Sequence, residues 1–154
     1  MSFIKAKEHL KKFNLENKII EFLVSSATVK KAAEVLGCDE ARIAKSLGFV
    51  VNDRVVLVIA AGDKKIDNAK YKKEFGVKAK MVPSEEVESK IGHEVGGVCP
   101  FGINENVEVY LDISLKEYDI MYPACGSHNS AVKLTIDELE KTSRYLKWVD
   151  VCKN

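Results

Sequence analysis

Apolar residues recur along this chain with two periods, and the switching between them sets out its elements. Residues 5–13 carry a helical pattern, and Lys18-Ile19-Ile20-Glu21-Phe22-Leu23 reads as a strand. Val29, Ala32, Ala33 and Leu36 fall at i, i+3, i+4 and i+7. That is one face of a helix, with Thr28 placed to cap it and Gly37 to end it. Asp39 is placed to cap a second short helix through Ala41, Ile43 and Ala44. Residues 46–51 and 54–60 flank Asn52-Asp53 and predict a β-hairpin. Helices are predicted over 67–75, ended by Gly76, and over 84–91, closed by Gly92, with a short strand at 80–82 between them. Further strands are predicted over 107–112, 120–124 and 131–134. Thr135-Ile136-Asp137-Glu138 is a capping box that opens the last helix. Strands and helices mix without regular βαβ spacing. The expected fold class is therefore α+β, with a mixed, largely antiparallel β-sheet flanked by helices.

Composition narrows the class. A chain of 154 residues predicts one domain, 1–154, with a sizeable core. Apolar content of 46% and charged content of 31% are those of a soluble globular protein. No window approaches the ~18 apolar residues of a membrane span. The opening residues, Met1-Ser2-Phe3-Ile4-Lys5-Ala6-Lys7, lack the apolar core of a signal peptide. Cys38, Cys99, Cys125 and Cys152 form neither a CxxC pair nor a zinc-ribbon spacing, and read as reduced thiols of a cytoplasmic protein. His93-Glu94 lacks the second histidine of an HExxH pair, so neither a metal nor a cofactor is expected. A net charge of +1 speaks against a DNA-coating protein but allows a nucleic acid gripped by a local patch. The run Lys64-Lys65-Ile66-Asp67-Asn68-Ala69-Lys70-Tyr71-Lys72-Lys73, with Lys78 and Lys80 beyond it, is the densest candidate. A solvated helix face is the commoner origin of such a run.

Three segments carry candidate chemistry. The first is Gly92-His93-Glu94-Val95-Gly96-Gly97-Val98-Cys99-Pro100-Phe101-Gly102. Glycine lets backbone N–H groups approach a ligand closely, although a tight connection between two elements explains the same composition. The second is Lys45, where Ala41-Arg42-Ile43-Ala44 is expected to pass from helix into strand. It reads either as an ordinary lysine favourable to a helix C-terminus or as a cation facing a pocket at a sheet edge. The third is Ala124-Cys125-Gly126-Ser127-His128-Asn129-Ser130, a loop between two predicted strands. Ser127 and His128 invite a nucleophile–base reading, but adjacent residues on extended backbone point to opposite faces, and no orienting carboxylate is evident. A turn, or one wall of a pocket, is the better reading. Cys99, between Val98 and Pro100, is reactive only if the loop amides lower its pKa.

Taken in this order and spacing, these segments resemble the YbaK family of aminoacyl-tRNA deacylases, which includes the editing insertion domain of bacterial prolyl-tRNA synthetase. The resemblance runs from Thr28 through the glycine loop and Gly126-Ser127 to Val132-Lys133-Leu134-Thr135 and the last helix. Ser46 departs from the threonine that commonly follows the lysine, and Ser25 and Ser26 lie in a stretch that varies across the family. The resemblance implies a barrel-like mixed sheet with a pocket beside Lys45. It also implies hydrolysis of the ester joining a wrong amino acid to the terminal ribose of a tRNA, alanyl- or cysteinyl-tRNA for proline first among them.

A pocket built to accept one amino acid rejects a slightly smaller one weakly, because a methylene is worth only ~1–3 kcal/mol; a second site then removes the error. In that reading Lys45, Gly96 and Gly97 are the catalytic residues. Backbone N–H groups hold the developing oxyanion, each worth ~3 kcal/mol. Lys45 anchors a phosphate or carbonyl oxygen, since an unperturbed lysine is protonated at neutral pH. Val98, Cys99, Pro100, Phe101, Gly102, Gly126, Ser127, His128 and Thr28 are expected to wall the substrate. The partner is mischarged tRNA, with a synthetase or elongation factor as a further candidate. Two other classes stand beside this one: a catalytically silent module binding an aminoacyl group or nucleotide, and a thiol enzyme using Cys99.

Overall fold

The computed structural model describes residues 2–154; Met1, counted in the expected 1–154 domain, lies outside them. In chain order the elements are α1 (Ser2–Lys11), β1 (Ile19–Glu21), α2 (Val29–Leu36), β2 (Ile43–Val51), β3 (Arg54–Ala61), α3 (Asn68–Phe75) and α4 (Ser84–Ile91). Then follow β4 (Glu108–Asp112), β5 (Ile120–Pro123), β6 (Ser130–Val132), β7 (Leu134–Thr135), α5 (Ile136–Ser143) and β8 (Lys147–Val149). Local chemistry supports the helix ends. Thr28 and Asp67 accept from the backbone N–H groups of Lys31 and Lys70 as N-caps. Gly37, Gly76 and Gly92 close α2, α3 and α4 in the left-handed conformation. The Thr135–Glu138 capping box is formed on both sides.

Six strands make one curled sheet in the order β7-β5-β2-β3-β4-β8, and β1 and β6 form a separate ribbon. The sheet is mixed. Its longest pairing is the antiparallel β2–β3 hairpin, with eight register pairs turned at Asn52 (φ 57°). β5–β7 is also antiparallel, whereas β2–β5, β3–β4 and β4–β8 are short parallel junctions. Residues 55–61 of β3 are all buried. Val55, Leu57, Ile59 and Ala61 join the core that α1, α4 and α5 cover, through Leu10, Ile91 and Leu139. Val56 and Val58 join a second core with Phe49, Tyr71 and Tyr110 under α3. Truncating Leu57 to alanine costs about 2–5 kcal/mol, against about 1 for the Thr135 cap, so the two-sided sheet outweighs the helix ends.

Four local expectations change under tertiary pairing. Residues 40–42 form a 3-10 turn without a side-chain cap from Asp39, and Ile43 and Ala44 already belong to β2. They pair with Tyr122 and Pro123 of β5, which outweighs a weak local cap. Lys45 is thus a strand residue and not the end of a helix. The 80–82 strand reduces to a bridge between Met81 and Phe49, with hydrogen bonds from Val50 N to Lys80 O (2.8 Å) and from Val82 N to Gly48 O (3.0 Å). The 131–134 strand divides, β6 pairing with β1 and β7 with β5. β8, with three residues, is too short to show a period and exists because β4 offers it an edge.

Gly102 (φ 67°) lies against α1, and a Cβ there would stand 2.5 Å from the Lys5 carbonyl oxygen. Gly102→Ala adds a left-handed conformation worth about 1–3 kcal/mol to that clash. Thermal unfolding is expected to show a markedly lower Tm; an unchanged Tm counts against this account of the contact.

Candidate active-site cleft

α2, β2, α4, the 95–98 loop and the β5–β6 connection enclose a cleft of about 440 Å³. Val29, Ala32, Ile43, Val87, Ile91, Val98, Tyr122 and Ala131 give it a mainly apolar lining. Met81 and Val95 stand at its surface, 56% and 61% exposed. α4 comes this close to β2 because residue 48 has no side chain: a Cβ on Gly48 would lie 2.7 Å from Ile91 Cδ1.

β2 delivers two polar groups by alternation. Lys45 is opposite Ala60 and Ser46 opposite Ile59, so the two side chains leave opposite faces of the strand. The Lys45 ammonium donates to the carbonyl oxygens of Gly62 (3.3 Å) and Lys64. An ammonium has three hydrogens, and these carbonyls take two. Lys45 lines both the cleft and a shallow depression containing Asp39, Glu40, Asp63 and Tyr118. Burial pushes the Lys45 pKa below the ordinary lysine value, opposed by nearby Cys152 and Asp63. Ser46 also lines the cleft, and its hydroxyl oxygen is buried without a hydrogen-bond partner among the described residues. Such a group carries a desolvation cost of ~1–3 kcal/mol that a bound polar atom would relieve.

The glycine loop divides in two. Gly96 and Val98 line the cleft, and among the described residues neither N–H donates to protein. Gly97 does not line it: its N–H donates to Glu94 O (3.0 Å), and its carbonyl accepts from Gly126 N (2.9 Å). A Cβ on Gly97 would stand 2.5 Å from Ser127 N, so this glycine serves backbone-to-backbone packing. Cys99, Pro100 and Phe101 are buried outside the lining. The Cys99 thiol lies 3.5 Å from His93 Nε2, and burial holds its pKa well above the ordinary thiol value. It is not placed to attack an ester in the cleft. Gly102 also lies outside, donating its N–H to His9 Nδ1 (3.0 Å).

Of the remaining expected residues, Thr28 lines the cleft, with its hydroxyl engaged by Lys31 N (3.1 Å). Gly126, Ser127 and His128 stand behind the wall. Ser127 Oγ bonds Asn129 Oδ1 (3.0 Å) and Ser130 Oγ (2.6 Å), and the His128 side chain is exposed. The His128 carbonyl accepts from Ser26 N (2.6 Å) and Ser26 Oγ (3.3 Å), tying the segment before α2 to this loop. Sequence reasoning missed Ser26, Ser46, Tyr122 and Ser130 as lining residues. Only Ser46 had a legible signal, its place next to Lys45 in a strand.

An α+β domain with a held ammonium, two free amide donors and an unpaired hydroxyl around an apolar cleft is suited to gripping a small oxygen-rich group. Residues 24–142 match the model of the aminoacyl-tRNA editing domain, and the chain belongs to that family. It is therefore an aminoacyl-tRNA deacylase, with tRNA as its substrate. Over 155 residues it is 51% identical to YwhH of Bacillus subtilis, covering 100% of this chain and 99% of that protein. It is 34% identical over 104 residues to the proline–tRNA ligase of Shouchella clausii, covering 67% of this chain but 18% of the ligase. A crystal structure described as a candidate trans-editing enzyme for prolyl-tRNA synthetase superposes with a TM-score of 0.88 at 27% identity, covering 99% of this chain and 98% of that one. Among the described residues no helix is long and apolar enough to cross a membrane.

Two buried histidines tie α1 and the glycine loop to the core. His9 Nδ1 accepts from Gly102 N, which assigns the proton to Nε2, bonded to Thr142 O (2.6 Å). Burial lowers the pKa of both His9 and His93. A lowered folded pKa means that the unfolded chain takes up the proton first. Stability is therefore full above about pH 6.5 and lost as pH falls from there to the folded values. Melting curves from pH 8 to pH 5 are expected to show a flat Tm down to that point and a fall below it. A flat Tm throughout would contradict the buried neutral rings.

Proposed function

We propose that the cleft removes a small, wrongly attached amino acid from tRNA for proline, alanyl- and cysteinyl-tRNA being the substrates tested first. The observation that carries this is Lys45, held by two carbonyls at the edge of an apolar cleft with one ammonium hydrogen left over. That hydrogen anchors a substrate phosphate or carbonyl oxygen. The N–H groups of Gly96 and Val98 receive the oxyanion, and Ser46 Oγ meets a further polar atom. The likeness to a proline–tRNA ligase supports proline as the amino acid whose tRNA is corrected.

An aminoacyl ester is already activated, so positioning supplies most of what the reaction needs. A bound water, assisted by the neighbouring ribose hydroxyl, adds to the carbonyl carbon. The ester C–O bond then breaks, the ribose oxygen takes a proton, and the free amino acid leaves. On a cysteinyl substrate the substrate's own thiol is an alternative attacking group. The protein contributes no nucleophile, in keeping with the positions of Cys99 and Ser127.

Exposed lysines flank the cleft: Lys30 and Lys31 follow Thr28 and Val29, while Lys78 and Lys80 precede Met81. With Lys72 and Lys73 of α3 they form the phosphate-binding surface of this reading. A synthetase or elongation factor delivering the tRNA completes it.

The test is a panel of tRNAs mischarged with small amino acids, with Lys45→Ala alongside. Fast, lysine-dependent loss of the ester from one member is expected. Loss independent of Lys45 would remove its role, and no loss from any member would favour a silent aminoacyl-binding module. Activity is also expected to fall steeply with salt, and Lys80→Gln to reduce the log–log slope by about one. A flat salt response would count against the surface. Because burial lowers the Lys45 pKa, its ammonium is lost on the alkaline side before the ordinary lysine value of about 10.4. After subtraction of uncatalysed hydrolysis, the rate is expected to decline below that pH; a plateau reaching it would contradict a charged Lys45.

A further inference from the structure

The carbonyls that hold Lys45 belong to the loop after β3, and that loop is pinned at both ends. At its start, Ala61 N donates to Ser114 Oγ (3.1 Å). At its end it meets the C-terminal segment. Lys153 N donates to Lys65 O (2.8 Å), Ile66 and Cys152 form an antiparallel bridge, and Asp67 N donates to Val151 O (2.8 Å). The Lys70 ammonium adds bonds to Cys152 O (2.9 Å), Asp150 Oδ1 (3.1 Å) and Asn154 Oδ1 (3.2 Å).

Both pins lead to one buried carboxylate. Asp112, 1% exposed at the end of β4, accepts from Ser114 N at Oδ2 (2.9 Å) and from Val151 N at Oδ1 (2.9 Å). Burial and the Asp112 carboxylate push the Cys152 thiol pKa up to about 12. The family match ends at residue 142, so the C-terminal part of this arrangement lies beyond it.

We infer that Asp112 and the C-terminal segment are positioning elements for Lys45: through Ser114 and residues 65–67 they hold the loop whose Gly62 and Lys64 carbonyls aim the ammonium. This rests on the reading of Lys45 as the residue that anchors the substrate. A lysine side chain without these acceptors is free to leave its pose, and misplacement of a catalytic group costs up to about 100-fold in rate.

Two variants test it. Asp112→Asn turns an acceptor into a donor beneath both pins. A chain ended after Val151 removes the partners of Lys65 O and Ile66 together with the buried Cys152 side chain but keeps Val151 and Asp112, which keeps the test open if Asp112→Asn fails to fold. The first readout is the side-chain NMR signal of Lys45, assigned by its absence in Lys45→Ala, and it does not depend on activity. The second is kcat and KM on alanyl- and cysteinyl-tRNA for proline.

In the wild-type protein the Lys45 NH3 signal is expected to be slow in solvent exchange, and in either variant to exchange fast or broaden. With it, kcat is expected to fall about 10- to 100-fold while KM changes less than about twofold. A Lys45 signal unchanged in the folded variants overturns the inference, whatever happens to the rate. So does a rate loss carried by KM alone. Retained activity in Lys45→Ala would defeat the reading of Lys45 as substrate anchor, while the NMR signal would still decide what holds the side chain.

Discussion

β3 is buried on both faces, and the rest of the molecule is arranged to keep it so. A strand with water on neither side needs a layer against each, and α1, α4 and α5 cover one face while α3 covers the other. β2 pairs with β3 over eight positions, so its side chains inherit the same two directions. Ser46 leaves β2 on the face it shares with Gly48, against which Ile91 of α4 packs, and Lys45 on the face it shares with Ile43, which packs on α2, beside the 62–65 loop. The two polar groups of the cleft are thus separated by the pleat of one strand, and moving the register by one residue would exchange them.

The walls of the cleft are set by contacts between backbones. Gly97 against Gly126 and Ser127, Gly102 against α1, and the Ser26 N–H on the His128 carbonyl bring four distant chain segments within a few ångströms. Side chains hop between rotamers, whereas main chain locked by hydrogen bonds does not. The proposed mechanism, in which donors are placed around a reactive ester, would benefit from that stiffness. It also explains why so few of the loop residues reach the cleft. Most of the glycines are there so that the loop can lie against other backbone, leaving the Gly96 and Val98 amides without an acceptor among the described residues.

Much of the fold was legible before the structure. The i, i+3, i+4, i+7 face of α2, the β2–β3 hairpin, the Thr135 capping box and three glycine helix ends all appear as read. Each is a local statement, decided by residues within one turn or one hairpin. What failed was local evidence overruled from a distance. Asp39-Glu40-Ala41-Arg42 looks like the start of a helix, but Ile43 and Ala44 find a partner in β5, about 80 positions later. β8 has no pattern of its own and forms on the free edge of β4.

The sequence by itself determined the class of fold, the candidate lysine and the three segments that meet around it, because periodicity, caps and motif order are written in consecutive residues. The tertiary structure alone decided which of those residues face the cleft. It sent Gly97, Cys99 and Ser127 behind the wall, brought Ser46, Tyr122 and Ser130 into the lining, and gave Lys45 its two carbonyl acceptors. The physical reason is that facing is a property of pairing and packing between segments far apart in the chain, and a residue's neighbours in sequence carry almost no record of them.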